Sequence, residues 1–114
     1  MKQPSIRILF GAASSLGPGK IALLESISRT GSISGAAREM GMSYRRAWLL
    51  VEAMNTAFTK PVVMAVTGGK RGGGAEVTVF GLSLLERYRK IEAKAAAAVV
   101  VDLKALAKML VQRE

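Results

Sequence analysis

Between Lys20 and Phe58 the chain is cut twice by the same kind of signal, a glycine followed closely by a serine: Gly31-Ser32 and Gly41-Met42-Ser43. Glycine takes the left-handed conformation that closes a helix, and a serine oxygen accepts an orphan N–H of the next helix's first turn. The two signals predict three successive helices: Lys20 to Thr30, Ser32 to Met40 and Ser43 to Phe58. The middle helix is short and the turn after it tight. Periodicity agrees with this division. Ile21, Leu24 and Ile27 recur at every third position, with Leu23 widening the stripe. Ala47, Leu50, Val51, Met54 and Phe58 keep one face of the third helix apolar, with Arg45, Leu49 and Glu52 opposite. Ala37 and Ala47 are small where the second and third helices must cross closely.

The flanks read differently. Ser5 to Phe10 alternates as a short strand, and Gly11 to Gly19 is a connector of small residues. Pro61 marks a break. Val62 to Val66 and Ala75 to Phe80 then predict a hairpin around the glycine-rich turn Thr67 to Gly74. From Gly81 onward one long helix is expected up to Glu114, roughly 45 Å of it. Along it Leu84, Tyr88, Ile91, Ala95 and Ala98 form a heptad-like seam, continued after a shift by Val99, Leu103, Leu106 and Leu110. Such a helix either packs its first half on the body and frays, or pairs with a second copy. Pairing is favoured, because the run Ala95 to Val101 would otherwise sit in water.

The order strand, three helices, hairpin, long helix is that of a winged helix-turn-helix: mainly α with a small β-sheet. We expect residues 1–80 to form the DNA-binding domain and residues 81–114 the dimerisation helix. A chain of 114 residues has room for one core. With 17 Lys and Arg against 8 Asp and Glu, its net charge of +9 draws it to polyanions, duplex DNA first. It contains no His and no Cys, and its acids are scattered singly. Thiol nucleophiles, His general bases, Cys/His metal sites and carboxylate pairs are thereby excluded, so neither an enzyme nor a metal or other cofactor is expected. Absence of cysteine is compatible with the cytoplasm, the expected location. No apolar run approaches the roughly 20 residues of a membrane span, and Arg7 interrupts the only N-terminal stretch that resembles a secretory leader.

The third helix presents Ser43, Tyr44, Arg45 and Arg46 at the end that enters a major groove. Two arginines in a first turn oppose the helix dipole, a mild frustration that a phosphate would relieve. Ser32 and Leu49 complete the helical contacts expected with DNA, and Lys70 and Arg71 supply a cationic wing tip whose glycines allow close approach to a backbone. Trp48 suits either the core or an outward contact. Gly19-Lys20 is not a phosphate loop, because Ser14 stands where the first glycine belongs and Ile21 where Ser or Thr is needed. The glycine-rich tip lies between strands, so it is no dinucleotide fingerprint. A protein-interaction module and an effector-free nucleoid-type DNA binder are the competing readings.

The stretches TGSISGAAREMGMSYRRAWLLVEAMN (Thr30 to Asn55) and TGGKRGGGAEVT (Thr67 to Thr78) resemble the N-terminal DNA-binding domain of ModE-type molybdenum-responsive regulators. The helix-turn-helix is similar, more loosely, to that of LysR-type regulators. The likeness runs from about Ile6 to Tyr88. It implies a dimeric winged helix that regulates molybdate uptake or molybdoenzyme genes, with Ser43, Tyr44, Arg45 and Arg46 on the recognition helix and Lys70 and Arg71 on the wing. Fuller members carry oxyanion-binding domains after the long helix. The sequence as given stops at Glu114, so the expectation is a DNA binder that either needs no effector or answers to a separate effector-binding protein.

Overall fold

The computed structural model describes residues 7–9, 15–69 and 72–111. Its elements run β1 (Ile8–Leu9), β2 (Ser15–Leu16), α1 (Pro18–Thr30), α2 (Ile33–Met40), α3 (Tyr44–Ala57), β3 (Val63–Gly69), β4 (Gly72–Val77) and α4 (Val79–Ala107). This is the expected winged helix, mainly α, with a long final helix.

Both glycine–serine signals act locally as the sequence predicts. Gly31 has φ 76° and Gly41 φ 68°. The Gly31 N–H donates to the Ile27 carbonyl at 2.8 Å, and the Met42 N–H to that of Ala37 at 3.0 Å. Ser32 Oγ accepts from the Gly35 N–H at 2.8 Å and Ser43 Oγ from the Arg46 N–H at 3.1 Å. The core gathers Ile21, Leu24 and Ile27 of α1, Ala36 and Ala37 of α2, and Ala47, Val51 and Met54 of α3. Leu84 and Tyr88 of α4 close it from the far side.

The wing is tied to this body at two places. Near the end of α3, Asn55 Oδ1 accepts from the N–H groups of Val62 (2.7 Å) and Val63 (3.2 Å), and its Nδ2 donates to the Val63 carbonyl at 3.1 Å. On the returning strand, the Ala75 N–H donates to the Gly31 carbonyl at 2.9 Å. A Cβ at Gly74 would stand 2.7 Å from that same oxygen, so only glycine permits the approach.

Several boundaries differ from the sequence reading. Strand pairing continues from Val66↔Gly74 past a register shift to Gly69↔Gly72, through glycines we expected to be turn. Backbone pairing needs no side chain, and glycine leaves no alternation to read. Thr78 to Phe80 are not strand but the cap and first turn of α4. Thr78 Oγ1 accepts from the Gly81 N–H at 3.0 Å and donates to the Pro61 carbonyl at 2.7 Å. Within the expected connector, Ser15–Leu16 pair antiparallel with Ile8–Leu9, so the first strand does not join the wing sheet. Ser5, Ile6 and Phe10 of that expected strand lie outside the described residues. α1 starts at Pro18 rather than Lys20, since proline lacks only an N–H that the first turn leaves unused.

α4 ends at Ala107, and residues 108–110 turn away. Its 29 residues span roughly 44 Å, which stretches the molecule to 54 × 35 × 23 Å. Gly81, Leu84 and Tyr88 are its buried residues. Just past them Arg89 braces α4 against α1, donating to Glu25 at 2.6 and 3.3 Å and to Glu92 at 2.5 Å.

Candidate nucleic-acid interface

Burial of Ala47, Val51 and Met54 fixes how α3 is rotated. At 100° per residue the face opposite them carries Arg45, Leu49, Glu52 and Thr56, all exposed. Arg46 lies on one flank of this stripe, Tyr44 and Trp48 on the other. Ser43, Arg45, Arg46, Leu49 and Leu50 line a shallow concavity of about 310 Å³ at the helix start. The first turn of α3 has no acidic residue, and among the described residues neither Arg45 nor Arg46 enters an ion pair. A positive dipole end and two unneutralised guanidinium groups converge there, which suits a phosphate or an electronegative base edge.

The structure brings Ser43, Arg45, Arg46 and Leu49 together around one concavity; Tyr44 is exposed on the other flank of the helix and does not line it. Ser32 stands apart as the N-cap of α2, its Oγ engaged by the Gly35 N–H. Trp48 is 43% exposed and Tyr44 56%, so the tryptophan faces outward rather than into the core. Lys70 and Arg71 lie outside the described residues, between the last paired positions of the wing.

The seam on α4 needs correction. Leu84 and Tyr88, expected to meet a second copy, are packed inside the protein's own core, Tyr88 at 1% exposure. Leu110 falls beyond the helix end. Ile91, Ala95, Ala98, Val99, Leu103 and Leu106 lie on the part of α4 past the buried residues.

Sequence reasoning missed two devices. One is Asn55, which carries the wing on α3. The other joins α1 to α2: Ser26 Oγ donates to Glu39 Oε1 at 2.9 Å, and the Arg29 guanidinium pairs with the same carboxylate. The Ser26 hydroxyl, then Arg29, holds the Glu39 carboxyl below its ordinary range. Neither leaves a periodic signal, because each joins residues on separate elements. Among the described residues no group of His, Cys, Asp and Glu could hold a metal ion, and no helix is long and apolar enough to cross a membrane.

Known proteins share this segment. Over 81 residues the chain is 53% identical to the molybdenum-pterin-binding protein MopB of Rhodobacter capsulatus, covering 71% of this chain and 30% of MopB. It is 43% identical over 94 residues to MopA of the same organism (80% of this chain, 36% of MopA). Over 71 residues it is 46% identical to the transcriptional regulator ModE of Yersinia pestis, covering 62% of this chain and 27% of that regulator. The chain thus spans 27–36% of the length of these relatives. Among solved structures, the crystal structure of the CbnR DBD–DNA complex has the same fold, with a TM-score of 0.58 at 18% identity over 77% of this chain and 95% of that chain. No protein-family model matches.

Proposed function

We propose that this chain, which belongs by sequence with the ModE-type proteins over its winged-helix segment, is the DNA-binding part of a transcriptional regulator and works as a homodimer. The observation that carries the reading is the start of α3, where Tyr44, Arg45, Arg46 and Leu49 project away from the core on a chain of net charge +9. α3 enters the major groove from its N-terminus, and Arg45 or Arg46 donates to a guanine edge or a phosphate. Lys70 and Arg71 contact the flanking backbone or minor groove. The regulator's targets are genes of molybdate transport or of molybdoenzymes, a reading supported by relatives named molybdenum-pterin-binding protein and molybdenum transport protein.

Residues 1–80 with the first turns of α4 make the DNA-binding unit, and α4 beyond Tyr88 makes the joint. Eighteen residues, five full turns, separate Leu84 from Asp102 and Tyr88 from Leu106. The stripe that α4 turns toward its own core therefore runs on past the body, through Ala95 to Leu106, and a second copy is what would cover it. Two copies then read a pseudo-palindrome with half-sites about 34–36 Å apart, or a multiple of that.

The test uses duplexes selected by the chain from a random pool. Arg45→Ala with Arg46→Ala should abolish preference for the selected duplex while leaving thermal unfolding unchanged. Wild-type affinity should fall steeply with salt, with a log–log slope of about 0.9 per phosphate contact. Unchanged binding by the double variant overturns the assignment of α3, and a flat salt response overturns DNA as the ligand in favour of a protein partner.

A further inference from the structure

We infer that Leu49 is a base-reading residue that selects thymine, by packing on its C5-methyl group within about two base pairs of the position Arg45 reaches, taking a helix rise of about 6 Å per four residues against about 3.4 Å per base pair. The inference rests on the DNA reading above and adds to it the base that this face prefers.

Leu49 lies one turn after Arg45 on the stripe opposite the buried Ala47, Val51 and Met54. It is 47% exposed. Its stripe neighbours, Arg45 and Glu52, are charged and exposed, so its alkyl group is the apolar side chain on the centre line of that stripe, with Tyr44 and Trp48 on one flank. Beside it the concavity lined by Ser43, Arg45, Arg46, Leu49 and Leu50 is large enough to accept a methyl group.

The floor of a major groove offers one apolar feature, the thymine methyl; the other base edges present donors and acceptors. Leucine against guanine O6 and N7, or against the cytosine or adenine amino group, strips those atoms of water and returns no hydrogen bond. Leu49 therefore favours thymine and penalises the alternatives at the same position. A guanidinium at Arg45 and a leucine four residues later read different base pairs, because about 6 Å along the helix is more than one base-pair step of about 3.4 Å.

The test replaces thymine by deoxyuridine, one position at a time, in duplexes selected from a random pool by the full chain. Deoxyuridine pairs identically and lacks only the methyl. At one position wild-type affinity should fall about fourfold, the worth of one buried methyl. Leu49→Ala should bind the thymine duplex about as weakly as wild type binds the deoxyuridine duplex, and should be insensitive to the replacement. Leu49→Met, still apolar, should keep the sensitivity. Thermal unfolding of both variants should match wild type, since the residue is exposed. If no deoxyuridine-sensitive position disappears in Leu49→Ala, the inference falls while the DNA reading stands. If wild type selects no sequence at all, both fall.

Discussion

Replacing Gly81 with alanine should reverse the sign that helix propensity assigns. Gly81 is the third residue of α4, and alanine is favoured over glycine in a helix by about 1 kcal/mol. Here a Cβ would drive into the carbonyl oxygen of Val62 and stand 2.7 Å from Val77 Cγ1 and 3.2 Å from the Val62 carbonyl carbon. The obstacle is backbone, and it is pinned from both sides. The Val62 carbonyl accepts the Thr78 N–H at 3.0 Å, and the Val62 N–H is held by Asn55 at 2.7 Å. Room can be made only by lifting the base of α4 off the start of β3.

Overpacking a tight site costs about 1–3 kcal/mol. Taking the upper end for a backbone obstacle and subtracting the propensity gain leaves a net loss of about 2 kcal/mol. For a domain of this size that lowers Tm by about 8 °C. Gly19→Ala is the control: nothing lies within 4 Å of its Cβ, so it should gain up to about 1 kcal/mol. Urea unfolding followed by far-UV circular dichroism, at one fixed protein concentration, reads both variants against wild type. A Gly81→Ala protein as stable as wild type, in a series where Gly19→Ala behaves, would refute the close packing of α4 on Val62.

Two further outcomes follow from named contacts. The Glu39 carboxyl is held below its ordinary value near 4.5, first by Ser26 and then by Arg29; its contribution to stability is therefore complete above that value and lost as pH falls through the lowered pKa. Ser26→Ala should flatten the acid side of a Tm-against-pH curve, and an unchanged acid limb speaks against the contact. Leu106 is 58% exposed beyond the body; on the proposed homodimer, Leu106→Glu should sediment as a monomer where wild type sediments as a dimer, and a wild type that is itself monomeric speaks against α4 as the joint.

The helix-turn-helix is legible in the sequence because its signals are local. Gly31, Ser32, Gly41 and Ser43 each act on a backbone group within four residues. The base of α4 is less legible. Thr78 alternates with Val77 and Val79 as a strand would, yet its hydroxyl and the glycine three positions later form a helix cap. The seam on α4 shows what periodicity leaves open. It gives an azimuth, shared by Leu84 with Asp102 and by Tyr88 with Leu106, but not the point where the body ends. Only packing distinguishes the buried pair from the bare one. Trp48 is ambiguous for a related reason: it sits on the flank of α3, where inward and outward faces meet. Ser15–Leu16, the strand that pairs with Ile8–Leu9, has two residues and leaves no alternation to read within its connector.

Val62 is where three parts of the molecule meet. Its N–H is held by Asn55 of α3, its carbonyl by the Thr78 N–H ahead of α4, and Gly81 of α4 rests on that same carbonyl. If two copies are joined along α4, this peptide is one of the seats, with the buried Leu84 and Tyr88 and the Arg89–Glu25 pair, that set how far apart their α3 helices stand. Lifting α4 in Gly81→Ala then has a second consequence besides lost stability. It leaves the start of α3 intact, so binding to a duplex with a single half-site should weaken little. It misplaces the partner's helix relative to the groove one turn away, so binding to a duplex with two half-sites should weaken much more. Titration of both duplexes below the melting transition separates the effects. Equal losses on the two duplexes would mean that the spacing is set elsewhere than at the seat of α4 on Val62.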